Sequence, residues 1–124
     1  MEITPEIPGD RQVIESYGEG RFRISGAAHT GSVLVFPDRT LQWGVSSMDA
    51  LSMEMLGPVA DAEPPVEILL IGCGARLTLV PPALRSALRD RGIGCDAMDT
   101  GAACRTFNVL LAESRRVAAA LIAL

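Results

Sequence analysis

Residues 66–98, VEILLIGCGARLTLVPPALRSALRDRGIGCDAM, decide the fold. They open on Val66–Gly72, a nearly continuous apolar, β-branched run of the kind found in strands buried on both faces. The stretch 81–92, PPALRSALRDRG, starts with proline, sets Leu84, Ala87 and Leu88 on one stripe, and stops at Gly92, a natural left-handed helix end. IGCDAM (93–98) then reads as a second strand. Strand, helix, strand in that order implies a right-handed crossover and a parallel pair.

Working outward, MDTGAACRTFNVLLAE (98–113) predicts a helix opened by Thr100, with Ala103, Phe107, Leu110 and Leu111 on its buried face. The tail RRVAAALIAL (115–124) is ambiguous. Its alanines and 3.6-residue spacing favour continuing the helix, whereas VAAALIAL is apolar on every face and equally fits a central strand. Towards the amino terminus, RFRISG (21–26) alternates as a half-buried strand, and SVLVF (32–36) with LQWGV (41–45) flank the turn PDRT as a hairpin. SMDALSMEMLGPV (47–59) offers capping at Asp49 and Ser52 and predicts a short helix ending near Gly57-Pro58. DAEPP (61–65) is the only seam and is too short to separate domains. Residues 1–124 are therefore expected to form one α/β domain of three layers. It would have a mixed central sheet, an amino-terminal β-hairpin and flanking helices.

The 124 residues are 48% hydrophobic and 21% charged, an ordinary globular balance. No apolar run approaches the ~20 residues of a membrane span. MEITPEIPGDR (1–11) lacks the apolar core of a secretory leader, so a cytoplasmic location is expected. A net charge of −4 argues against nucleic acid as partner. All eleven basic residues are arginines, four of them in the acidic first half and seven after residue 63; scattered arginines of this kind ordinarily sit solvated on the surface. Cys73, Cys95 and Cys104 are odd in number and lack CxxC spacing, which suits free thiols. The single His29 has no partners spaced for zinc, so neither metal nor cofactor is expected.

Chemistry, if present, belongs beyond the carboxyl ends of the parallel strands, the usual ligand crevice of such sheets. Gly72, Gly74, Arg76, Asp99, Thr100, Cys104 and Arg105 fall there, beside a helix N-terminus that can hold a small anion. The plainer reading is that Asp99 or Thr100 caps the helix and the thiols pack in the core. GCGARL has Leu77 where a dinucleotide fingerprint needs its third glycine, and the chain has no lysine for a phosphate loop. Cys104 as a nucleophile would need a base, and only His29 is available. Trp43, Met48, Met53 and Met55 read as core, or else as an adaptable partner surface.

ILLIGCG (68–74), LVPPALRSALRDRGI (79–93), SVLVFPDRTLQWGV (32–45) and above all MDTGAACRTFNVLLAESRRVAAALI (98–122) carry a further signal. Together they resemble a family of small, largely uncharacterised α/β proteins. It includes the mitochondrial assembly factor 3 of NADH:ubiquinone oxidoreductase and an adipogenesis-associated domain protein. The resemblance implies a mixed sheet flanked by helices, and a final strand over 116–123 after a break near 113. Relatives usually have Gly where this chain has Ser114, and Thr where it has Cys73; the mitochondrial relative has Ala at Arg105. The expected function is a non-enzymatic protein-interaction module resembling a respiratory-complex assembly factor, and in a bacterium a soluble accessory role. Enzyme activity is left open, leaning against. The alternative is a small-molecule (anion) binding protein or enzyme using residues 72–76 and 99–105. Self-association is left open.

Overall fold

The computed structural model describes residues 11–124, so the reading of 1–10 as free of a leader lies outside the described residues. Strands β1 (Ile14–Gly18), β2 (Arg21–Ile24) and β3 (Ala27–Thr30) form an antiparallel three-stranded sheet. Strands β4 (Val33–Val35), β5 (Thr40–Gln42), β6 (Ile68–Gly72), β7 (Gly94–Met98) and β8 (Val117–Leu121) form a five-stranded sheet in the order β5-β4-β8-β6-β7. β4 runs antiparallel to both β5 and β8, while β6 runs parallel to both β8 and β7. The sheet is therefore mixed, and the expected parallel pair is present, in register from Ile68 opposite Gly94 to Gly72 opposite Met98.

Helix α2 (Pro82–Asp90) buries Leu84 and Leu88, with Ala87 half-buried, on one face of this sheet. Helix α3 (Thr100–Ala112) buries Ala103, Cys104, Phe107 and Leu111 on the other, beside Phe22 and Ile24 of the small sheet. The small sheet is the main addition to the expected fold. Only β2 has the alternating large apolar residues that mark a strand, whereas β1 exposes Glu15, Ser16 and Tyr17 and β3 is Ala-Ala-His-Thr. Asn108 holds β1 to α3, its side-chain oxygen accepting from the Ile14 N–H (3.0 Å) and its amide donating to the Ile14 carbonyl (2.8 Å).

The segment expected as one short helix is instead two single 3-10 turns, Met48–Ala50 and Glu54–Leu56, followed by the four-residue helix α1 (Gly57–Ala60). Gly57-Pro58 begins α1 rather than ending a helix, because proline needs no N–H partner in a first turn. Ser47 caps the first turn and Ser52 accepts from the Met55 N–H, while Asp49 caps nothing. Trp43 is core: it is 6% exposed and its indole N–H donates to the Met55 carbonyl at 2.8 Å. Met48, Met53 and Met55 are part-buried against the same cluster.

The ambiguous tail is the strand β8, buried at every position. Val117, Ala119 and Leu121 face the α3 side with Val33, Val35 and Leu70. Ala118, Ala120 and Ile122 face the α2 side with Leu34, Leu69 and Ile71. With both faces covered, every position must be apolar, which is why periodicity could not separate strand from helix. The helix ends on Ser114, whose φ of +60° places it in the left-handed region. The Ser114 N–H bonds the Leu111 carbonyl (2.9 Å) and the Arg115 N–H the Leu110 carbonyl (3.1 Å), a Schellman end that satisfies the last turn. Serine accepts a conformation that glycine reaches without a Cβ penalty. Ser114→Gly should therefore raise the unfolding free energy by up to about 1 kcal/mol in urea titration; a loss of stability would show that the serine side chain contributes more than the strain removes.

Candidate functional site

At the carboxyl ends of the parallel strands, the chain converges on the hydroxyl of Thr100, which is fully buried. That hydroxyl accepts from the Gly74 N–H (2.9 Å) and donates to the Ile122 carbonyl (2.7 Å). Around it the Thr100 N–H bonds the Gly74 carbonyl, Cys73 N–H the Met98 carbonyl, and Ile122 N–H the Gly72 carbonyl. Gly72 is required here by close approach: a Cβ would lie 3.0 Å from the Thr100 Cα, the Thr100 Oγ1 and a Leu121 methyl. The polar groups of this corner thus bond one another.

Asp99 is the helix cap, its carboxylate accepting from the Ala102 N–H at 2.9 Å. Tyr17 lies over the first turn, so close that a Cβ on Gly101 would sit 2.5 Å from its hydroxyl oxygen. Arg105 is exposed and donates to that same hydroxyl at 3.1 Å. Arg76 stands on the exposed stretch 75–79 with Leu77 and Leu79. The structure therefore brings Gly72, Gly74 and Thr100 into one buried joint, gives Asp99 a capping role, and leaves Arg76 and Arg105 at the surface.

Burial raises the pKa of two of the three thiols. Cys104 is 2% exposed, and burial pushes its pKa from the ordinary 9.0 up to about 12, outweighing the pull of Arg105. Burial also raises Cys95, against the opposing charge of Arg85. Cys73 is buried and its S–H reaches the Thr78 carbonyl at 3.4 Å. Among the described residues no group of three His, Cys, Asp or Glu side chains could hold a metal ion.

A second feature lies at the opposite end, where the loops entering β6 and β8 run side by side. A cavity of about 330 Å³ opens there, floored by Phe36, Val66 and Val117 and edged by Arg11, Arg39, Arg115 and Arg116, with Asp38 and Glu63 also on its wall. Arg39 lies 4.3 Å over the Phe36 ring and donates to Asp38 at 3.0 Å. Arg115 Nε donates to Glu67 at 3.0 Å, and Arg116 Nε to the Pro65 carbonyl at 2.9 Å. The Arg115 side-chain bond, then the Arg116 backbone N–H, hold the Glu67 carboxyl below the usual carboxylate range. Read as scattered solvated surface, these arginines gave no signal. The arginine doublet directly after the helix-ending Ser114, and the Pro-Pro pair before β6, are the marks that could have placed them together, since adjacent parallel strands begin side by side.

Two measurements check the first corner. Thr100→Ala leaves the Gly74 N–H and the Ile122 carbonyl unpaired, each at ~1–3 kcal/mol, and Thr100→Val, which keeps the volume, should lose nearly as much. Asp99→Ala should cost ~1 kcal/mol as a lost cap. Equal, small losses for all three in urea unfolding would remove the hydroxyl from its joining role. For Cys104 the linkage has a definite sign. Below pH 9 the thiol is neutral folded and unfolded alike, and above it only the unfolded chain ionises. Stability present at neutral pH should fall as pH rises from 9.0 towards about 12, and Cys104→Ala should flatten that fall.

Comparison with known proteins places this architecture. A family model described as a protein of unknown function (DUF498/DUF598) matches residues 14–122. NADH dehydrogenase (ubiquinone) 1 alpha subcomplex assembly factor 3 of Danio rerio is 41% identical over 110 residues. That match takes in 89% of this chain but 63% of the relative, so the chain spans less than two thirds of that protein's length. An uncharacterized protein of Rhodobacter capsulatus is 37% identical over 123 residues, covering 97% of this chain and 93% of its own. A crystal structure described as an outer membrane protein from Bartonella henselae superposes with a TM-score of 0.84 at 41% identity, over 95% of this chain and 98% of that one. Matched by the family model through all eight strands and by the Rhodobacter relative nearly end to end, the chain belongs to the DUF498/DUF598 family.

Proposed function

We propose that this chain is a non-enzymatic protein-interaction domain, acting in the cytoplasm, that serves the biogenesis of a respiratory NADH dehydrogenase. The observation that carries the reading is the state of the crevice where an α/β domain would bind substrate. Its hydroxyl is consumed by two backbone groups, its thiol is buried, and its helix N-terminus is capped by Asp99 and covered by Tyr17. Directly beside it, Leu79 and Leu77 are 83% and 59% exposed on the loop between β6 and α2. Two unpaired leucines projecting from a braced corner suit an anchor for a partner better than a catalytic centre. The assembly-factor names of the relatives supply the class of partner, a subunit or intermediate of the NADH dehydrogenase.

The competing reading is a small anion held by Gly72, Gly74, Arg76, Asp99, Thr100, Cys104 and Arg105. A Rhodobacter capsulatus strain lacking its 37%-identical relative separates the two. This chain, expressed there, should restore NADH dehydrogenase assembled in membranes, read on native gels and by NADH oxidation. Leu77→Asp with Leu79→Asp should reduce that restoration roughly tenfold or more, while Cys104→Ser with Arg105→Ala should leave it intact, circular dichroism confirming both folds. If the leucine variant restores assembly and the crevice variant does not, the ligand reading replaces this one. If assembly is normal without the relative, the assembly role falls.

A further inference from the structure

The cavity at the amino ends of β6 and β8 is not used by the reading above and stands independently of it. Its floor is closed by the buried side chains of Phe36, Val66 and Val117, and Pro64 and Pro65 form an exposed apolar wall. Its edge carries four arginines in a chain whose net charge is −4; Asp38 and Glu63 share the lining, and Glu67 pairs with Arg115 from behind. The decisive detail is how the guanidinium groups are held. Arg115 and Arg116 are each tied through Nε alone, to Glu67 and to the Pro65 carbonyl. Their terminal nitrogens make no hydrogen bond among the described residues, so the two-pronged end of each guanidinium is left for another acceptor. Arg39 is fixed in plane by the Phe36 ring and by Asp38. Arginines braced at one edge and open at the other are the arrangement that grips a planar or tetrahedral oxyanion with two hydrogen bonds. Such bracing lowers the entropy lost on binding, since the long side chains are already ordered.

We propose that this cavity binds a small organic oxyanion, a carboxylate or phosphate monoester on an apolar body. Its head group lies against Arg115 and Arg116, and its body rests on the exposed rings of Pro64 and Pro65. The volume of about 330 Å³ is at the small end of ligand sites and admits a body of one or two rings or a short acyl chain. The charge selects against neutral and cationic molecules of the same shape, and the apolar proline wall selects against inorganic anions that bring no apolar surface.

The test uses the whole chain, labelled with nitrogen-15, and four probes: 1-naphthoate, 1-naphthyl phosphate, 1-naphthamide and inorganic phosphate. At least one of the two organic anions should give saturable shifts confined to amides of residues 36–39, 62–67 and 114–117, and which one saturates at lower concentration assigns the head group. Naphthamide and inorganic phosphate should bind at least tenfold more weakly. Arg116→Gln should weaken the better anion at least tenfold, and Arg116→Lys, which keeps the charge but loses the fork, by several-fold. Because Arg116 also bonds Pro65, Arg39→Gln provides a second variant on the opposite wall, expected to weaken binding without disturbing that contact. The proposal is overturned if neither anion saturates, if naphthamide binds as tightly as the better of the two anions, or if the shifts fall instead on residues 72–76 and 99–105. The last result would also weigh against the interaction reading, whereas the first two leave it standing.

Discussion

One buried hydroxyl ties together three segments that the chain reaches at widely separated points. Thr100 begins α3, yet its oxygen bonds the backbone just past β6 and just past β8 at once. These are the two innermost strands of the parallel half, and each would otherwise end in backbone groups with no ladder partner. Water cannot substitute, because the joint is closed by Leu121 and by the approach of Gly72. In an apolar surrounding an unpaired N–H or carbonyl is expensive, so a single side chain that satisfies one of each fixes the angle at which α3 leaves the sheet. Phe107 and Leu111, further along the helix, reach the core only because that angle is set.

The polar groups of this corner are bonded to the fold's own backbone. The same corner in related architectures is where strands open and a helix N-terminus offers free N–H groups. Here Asp99 and Tyr17 occupy the helix end, and the thiol lies too deep to ionise near neutrality. The opposite end of the sheet has a different character: among the described residues its guanidinium groups at Arg115 and Arg116 are bonded through Nε alone. The two ends of one sheet thus divide the work, one closing the fold and the other leaving polar valence unspent.

Much of this was legible in the residues. The apolar run at Val66–Gly72, the stripe of Leu84 and Leu88 with its Gly92 stop, and a helix cap at Asp99 or Thr100 each stated a local preference that tertiary packing then agreed with, the cap falling to Asp99. The small sheet was not legible. β1 and β3 are stabilised by hydrogen bonding to β2 and by Asn108, not by burying a face of their own, so their residues show no periodicity. β8 was legible only through resemblance, since alanine favours helix by propensity and gains its place here from two covered faces. At the candidate crevice, sequence proximity grouped Gly72, Gly74, Asp99 and Thr100 but not their hydrogen bonds, because hydrogen-bond saturation is a property of the assembled corner. The arginine cavity was harder to read: Arg11 and Arg39 are isolated in the chain and carry no positional signal, and only the Arg115-Arg116 doublet marks it.

The order of strands has a consequence for how the chain is made. β8 lies between β4 and β6, yet it is the last strand of the sheet in chain order. Until residues 117–121 have been synthesised, the hairpin of β4 and β5 and the parallel pair of β6 and β7 share no ladder, and each shows the other a bare edge. The sheet therefore cannot close progressively during translation. It closes by a long-range step, when the apolar strand 117–121 slots between two halves that precede it in the chain. Until then those edges are bare, and a lesion within 117–121 is a failure of the whole sheet rather than of one strand.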